Sequence, residues 1–224
     1  MIRRVWVTRA EPGASRTADR LTALGFEPVV APLVAIQPIP QAAPDLTGFA
    51  ALAFTSGNGV AAFASLTPDR SRPVFTVGDA TAEAARAAGF APVRSAGGDL
   101  DRLAALLMRQ GPAIGPLLVP GALEPAGDLP ALLRGHVEAT ALPVYEAVAT
   151  GAAAPGAFDA LLIHSARAAR ALAALGPFAG QTAVAVSAAA AQPLGDRSGL
   201  DIRRATTPDE TALFEALGNP PRRV

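Results

Sequence analysis

Six apolar stretches of this 224-residue chain stop at short polar turns whose side chains could bind or donate. Thr8 and Arg9 follow "VWV"; Thr55, Ser56 and Asn58 follow "LAF"; Gly78 and Thr81 close "FTV". Gly121 follows "LLVP"; His164 and Ser165 follow "LLI"; Ser187 follows "AVAV", with Ala190 three residues on. Most of these turns lead into a helical pattern. A helix N-terminus presents unpaired backbone N–H groups and a positive dipole end, so such turns suit carboxylates or phosphates. The same residues have plainer uses. Ser and Thr are default N-caps, Arg9 can pair with Glu11 or Asp19 at the surface, and His164 can be a local hydrogen-bonding group. Tyr145, the only tyrosine, lies in "LPVYEA" and offers a phenol that can donate one hydrogen bond or simply fill a core position.

Composition removes several chemistries. There is no cysteine, hence no disulfide, thiolate nucleophile or thiolate-held metal. All 19 basic residues are arginine, which removes a lysine Schiff base and a Walker-type phosphate loop. The two histidines, His136 and His164, are too few for a His-rich metal site. No G-x-G-x-x-G follows a strand pattern, and "TSGNG" is not the G-x-S-x-G nucleophile elbow. Formal net charge is zero, so nothing argues for nucleic acid or an anionic membrane surface. The N-terminal apolar run is about five residues, short of a signal-peptide core, and no segment approaches a membrane span. The expectation is a soluble, cytoplasmic protein without a Cys-ligated or His-rich metal site.

Strand and helix patterns alternate along the chain, and the strands are apolar throughout rather than alternating, as in parallel sheets covered on both faces. "VWVTR", a helix ending at Gly25, and "EPVVAPLVAI" as one strand form a short unit. Leu21 and Leu24 share one helical face in it. A long unit follows, with "FAALAFTSGNGV", "PVFTVGDATAEAARAAG", "APVR" and a helix that Asp99 caps. A second short unit and a second long unit repeat the order. Ser56 and Ser165, Val77 and Val186, and Arg94 and Arg203 are each 109 positions apart. A constant offset of this kind points to internal duplication. The class read is α/β, with two parallel-sheet domains. Ligands of open parallel sheets bind beyond the carboxyl ends of the strands, where all the polar turns fall.

"VTRAEP", "LGF", "PLVAI", "FTSGNGV", "VGDATAEAARAAGF", "VPG", "PVYEA" and "HSARAARAL" stand in the order found in uroporphyrinogen-III synthases, and the chain resembles that family from about Val5 to Leu217. The resemblance implies two flavodoxin-like domains joined by a two-stranded hinge. One domain would be discontinuous, 1–37 with 149–224; the other would be the inserted 40–143; the hinge strands would lie near 32–38 and 142–148. It implies a cofactor-free hydro-lyase that closes hydroxymethylbilane, a linear tetrapyrrole with eight carboxylates, to uroporphyrinogen III with ring D inverted. The reaction would occur in an inter-domain cleft, by positioning the substrate. Tyr145 would donate to the leaving hydroxyl. Thr8, Arg9, Thr55, Ser56, Asn58, Gly78, Thr81, Gly121, His164, Ser165, Ser187 and Ala190 would bind substrate. A monomer in transient contact with the preceding pathway enzyme is the expected working form. Three positions depart from the family pattern: His164 stands for a Thr, Ser187 for a Gly and Ala190 for a Thr. They leave a second reading, a tetrapyrrole-binding or regulatory protein of the same fold without turnover; a solute-binding protein for another anion is a third.

Overall fold

The computed structural model describes residues 2–195 and 199–220. In chain order the elements are β1 (Arg4–Val7), α1 (Gly13–Ala23), β2 (Glu27–Val30), β3 (Val34–Pro38), β4 (Ala51–Phe54), α2 (Gly57–Leu66), β5 (Val74–Thr76), α3 (Asp79–Ala87) and β6 (Val93–Ser95). Then come α4 (Leu100–Gln110), β7 (Leu117–Ala122), α5 (Leu129–Leu133), β8 (Ala139–Ala149), β9 (Ala160–Ile163), α6 (Ala166–Ala173), β10 (Thr182–Ala185), α7 (Ala188–Ala191), β11 (Asp201–Arg204) and α8 (Glu210–Leu217). They form two compact units, Met1–Ile36 with Ala147–Val224, and Gln37–Glu146. Of the tail "NPPRRV", residues 221–224 lie outside the described residues.

The first unit holds a sheet in the order β11-β10-β9-β1-β2, parallel throughout. Counted along the chain this is the flavodoxin-like order 2-1-3-4-5. The second sheet runs β3-β8-β7-β4-β5-β6, parallel from β8 to β6. Counting β7 and β8 before β4, β5 and β6 gives the same 2-1-3-4-5 arrangement, so the second unit carries the long segment ahead of the short one. The repeat holds in register: β4 and β9 begin and end 109 residues apart, and Ala51 and Ala160 occupy equivalent places against β7 and β1.

Wholly apolar strands need cover on both faces. In the first unit Val5, Val7, Leu21, Leu162 and Leu213 pack on one side, and Trp6, Leu161, Ile163, Leu172 and Leu194 on the other. Trp6 is fully buried, and its Nε1–H donates to the Ala31 carbonyl at 2.7 Å, which fastens β1 to the end of β2. In the second unit Leu103, Leu107, Leu117, Leu129 and Leu133 fill one face, while Phe54, Phe63 and Phe90 form a three-ring cluster. Asp99, Asp128 and Asp209 cap α4, α5 and α8 through side-chain oxygens. No helix among the described residues is long and apolar enough to cross a membrane.

Two local expectations are corrected. "EPVVAPLVAI" is two strands, because the chain leaves the first sheet after Val30 and enters the second at Val34. Pro32 lies in that gap and biases the residue before it to an extended turn. Leu24 does not share the buried face of Leu21: α1 ends at Ala23, and Leu24 is 49% exposed just beyond it.

Candidate active site

In the second unit the carboxyl edge of the sheet is built by the turns after β4, β5 and β7 and by the middle of β8. The chain leaves β4 at Phe54 and begins α2 at Gly57, so Ser56 must cap the helix. Its Oγ accepts from the Gly59 N–H at 3.1 Å. The same Oγ is 3.0 Å from the hydroxyl of Tyr145. Tyr145 reaches it because β8 carries an irregularity: Gly121 pairs with Pro143 but Ala122 with Tyr145. Bulges of this kind re-aim a side chain. Tyr145 as a whole is 8% exposed. Gly59 keeps this corner tight, since a Cβ there would stand 3.0 Å from the Pro120 carbonyl oxygen. Thr55 and Asn58 flank Ser56, half-buried.

After β5, Gly78 occupies the N-cap of α3 in extended conformation, with φ −158°, and no side chain caps the helix. The first-turn amides are therefore open to an external acceptor. Thr81, buried in that first turn, lies beside them. The equivalent turn of the first unit differs: Ser187 caps α7 and its Oγ accepts from the Ala190 N–H at 3.2 Å. Ala190 is buried where Thr81 is its counterpart. One unit lacks a side-chain cap at this position, and the other satisfies one first-turn amide through Ser187.

The first unit's carboxyl edge holds a charged cluster. Arg9 follows β1, and its Nη1 lies 3.3 Å from Glu210 Oε1 and 3.4 Å from Thr17 Oγ1. Arg20 Nη1 binds Glu210 Oε2 at 2.6 Å, and Thr17 donates to Glu210 Oε1. The Arg9 side chain lies over Gly13, where any Cβ would stand 2.5 Å from its Nε. Burial alone would raise the Glu210 carboxyl; His164, Thr17 and Arg20 outweigh it, Arg9 adds to them, and the carboxyl is held at about 2. His164 has no hydrogen bond to either ring nitrogen among the described residues, and its Nε2 is 3.7 Å from Glu210 Oε1. That is too long for a hydrogen bond but within reach of the charge. Burial, then the Arg9 charge, pushes His164 below the usual imidazole range against the pull of Glu210.

A pH effect follows from His164. Its folded-state pKa lies below the unfolded value of about 6.5, so the unfolded chain takes up the proton first. Stability should therefore fall as pH drops from about 7 through 6, and His164→Asn should flatten that limb. Urea midpoints between pH 5 and 8 measure it; parallel profiles would show that His164 titrates normally.

Several candidate residues have internal duties. Thr8 is fully buried and its hydroxyl donates to the Leu162 carbonyl at 2.6 Å, which ties β1 to β9; it does not face outward as a binding group. Ser165 caps α6 by accepting from the Ala168 N–H. Arg9 pairs with neither Glu11 nor Asp19 but with Glu210, 201 positions away. Gly121 stands on β7 opposite the bulge of β8, with open space where a side chain would be. Glu210, Thr17 and Gly13 were not legible as site residues, nor was the Ser56–Tyr145 contact. The one available signal was the place of Gly13 and Glu210 in a first helical turn and of Ser56 beside a strand end.

The family model for uroporphyrinogen-III synthase HemD matches residues 15–215. Among solved structures, the fold is similar to uroporphyrinogen-III synthetase from Helicobacter pylori, at 22% identity and TM-score 0.67, covering 96% of this chain and 97% of that one. It is also similar to a mutant uroporphyrinogen III synthase from Thermus thermophilus, at 18% identity and TM-score 0.55, covering 96% and 97%. No curated protein sequence matches significantly.

Proposed function

Because the chain belongs to the uroporphyrinogen-III synthase family, we propose that its two parallel-sheet units serve the closure of hydroxymethylbilane to uroporphyrinogen III, with loss of water and inversion of ring D. The family match over residues 15–215 carries this reading. The ring A hydroxymethyl group loses its hydroxyl as the pyrrole nitrogen pushes electrons in and the oxygen takes a proton. The resulting azafulvene is attacked by the substituted carbon of ring D. The spiro intermediate then fragments and recloses as isomer III. Because the free bilane closes by itself to isomer I, the protein must hold a coiled conformer more than it must lower a barrier.

Tyr145 is assigned as the donor to the departing hydroxyl, supported by its hydroxyl standing beside Ser56 at the carboxyl edge of the second sheet. Its phenol carries one O–H, which it offers to the departing oxygen. The substrate's carboxylates need donors. Thr81, Asn58 and the open amides after Gly78 supply them in the second unit. Arg9, with its guanidinium side chain 34% exposed, and the turns at Ser165 and Ser187 supply them in the first. The protein works as a cytoplasmic monomer that takes its unstable substrate from the preceding enzyme by brief contact. In support, its large exposed apolar side chains (Leu24, Val30, Leu123, Leu132, Leu175) are scattered along the chain.

Gly78→Ser separates the binding role from stability. The extended backbone accepts Ser, and a Cβ would meet the Gly98 backbone, its carbonyl oxygen at 3.4 Å and its nitrogen at 3.9 Å. The new hydroxyl would cap α3 and stabilise it by only about a few tenths of a kcal/mol. It would also occupy amides assigned to the substrate, so KM should rise several-fold with kcat little changed. An unchanged KM would remove those amides from the site. The function itself is tested by complementation. Expression in a bacterium deleted for its own synthase should restore haem-dependent growth and end the accumulation of uroporphyrin I. Continued accumulation, with the protein present and folded, would refute the assignment.

A further inference from the structure

The contact between Ser56 and Tyr145 is part of a longer chain of donors. The Gly59 N–H donates to Ser56 Oγ at 3.1 Å, and that oxygen lies 3.0 Å from the Tyr145 hydroxyl. A serine hydroxyl has one proton and two lone pairs. One lone pair is taken by Gly59. The remaining contact can run either way: the phenol donates to Ser56, or Ser56 donates to the phenol oxygen. Only the second arrangement leaves the phenol proton free for a substrate.

We propose that Ser56 is the positioning residue that donates to Tyr145 and keeps its phenol proton directed at the departing hydroxyl of the bilane. This rests on the reading of Tyr145 as the donor, and it gives Ser56 a role other than carboxylate binding. The amide-to-Ser56-to-phenol relay polarises in one direction, because each donor strengthens the next. It starts at the N-terminus of α2, whose positive end favours negative charge building on the phenol oxygen as the proton moves away. The neighbouring residues fix the distance. The bulge at Gly121 and Ala122 sets Tyr145 opposite Ala122, and Gly59 lets α2 approach the Pro120 carbonyl to within contact. The proton balance is simple. The phenol proton goes to the leaving oxygen, water departs, and the phenolate, held by the Ser56 hydroxyl, is reprotonated from solvent or by the pyrrole proton released during ring closure.

The chain's composition makes this measurable, since Tyr145 is its only tyrosine and the near-ultraviolet phenolate band reports one residue. Ser56→Gly is the variant of choice, because glycine at an N-cap costs a helix little. In Ser56→Gly the Tyr145 titration midpoint should rise by about half to one pH unit, and kcat should fall about 3- to 10-fold with KM held, the worth of one ordinary hydrogen bond. Ser56→Thr, which keeps the hydroxyl, should restore both. In a Tyr145→Phe background Ser56→Gly should change kcat no further, as expected of a residue that acts through another. A midpoint that falls or stays unchanged in Ser56→Gly would show that Ser56 does not donate to the phenol oxygen and would overturn the proposal; so would a kcat loss that persists without the phenol. Tyr145→Phe alone with full kcat would instead sink the donor reading, whichever way the titration moves.

Discussion

Tyr145→Phe should lower kcat by about 10- to 100-fold, at the lower end of general-acid effects because a phenol is a weak acid at neutral pH. KM should stay within about twofold, since the carboxylate-binding groups are elsewhere. The substitution keeps the ring and its packing. It removes one contact to Ser56, whose cap to Gly59 survives. Folding should therefore change by about 1 kcal/mol or less. Residual product should still be isomer III, because ring selection comes from how the bilane is held and not from the donor. Initial rates with isomer separation check both parts. Full kcat in the variant would place the proton donor elsewhere; isomer I from the variant would mean that Tyr145 shapes the substrate rather than protonating it.

The largest stability effect is expected at Glu210. Its carboxylate is shared by Arg9, Arg20 and Thr17 and is only 20% exposed. Glu210→Gln keeps the size but leaves the half-buried Arg9 guanidinium without its counter-charge. Burial already weakens the hold of Arg9 on its proton, and Glu210 is the group that opposes this. The pair lies between a surface bridge, worth under about 1 kcal/mol, and a buried one costing about 3–5 kcal/mol to break, so a loss near 2 kcal/mol is expected at neutral pH. The melting temperature should fall by several degrees. The pH dependence has a defined sign. A carboxyl held at about 2 in the folded state contributes fully above the unfolded value of about 4.3 and loses that contribution as pH falls through 2. Wild type and variant should thus converge in acid. A constant difference from pH 7 to pH 2.5 would mean that the loss is packing and not charge. Since Glu210 holds Arg9, the variant should also raise KM.

The fold was readable because its signals are local. Apolar runs such as "ALAF" and "ALLI" are long enough only for strands, and Ser56 and Ser165, 109 positions apart, cap α2 and α6 with the same geometry. Asp99 was legible as a cap for the same reason. What local pattern cannot carry is partner choice. Arg9 had two acids within ten residues, yet its partner is Glu210, at the start of α8. Tyr145 read as a lone phenol, and its bond to Ser56 depends on a bulge that no residue type announces. The split of "EPVVAPLVAI" was half-written in Pro32, but that its two pieces belong to different sheets is a property of topology.

The most direct test of the account is the identity of the ring formed. Purified protein is added to hydroxymethylbilane generated in situ, the products are oxidised at short times, and isomers I and III are separated. The account predicts isomer III in excess and bilane consumed faster than in buffer. Isomer I alone at the buffer rate would contradict it, and slowed closure to isomer I would identify a protein that binds the bilane without turning it over.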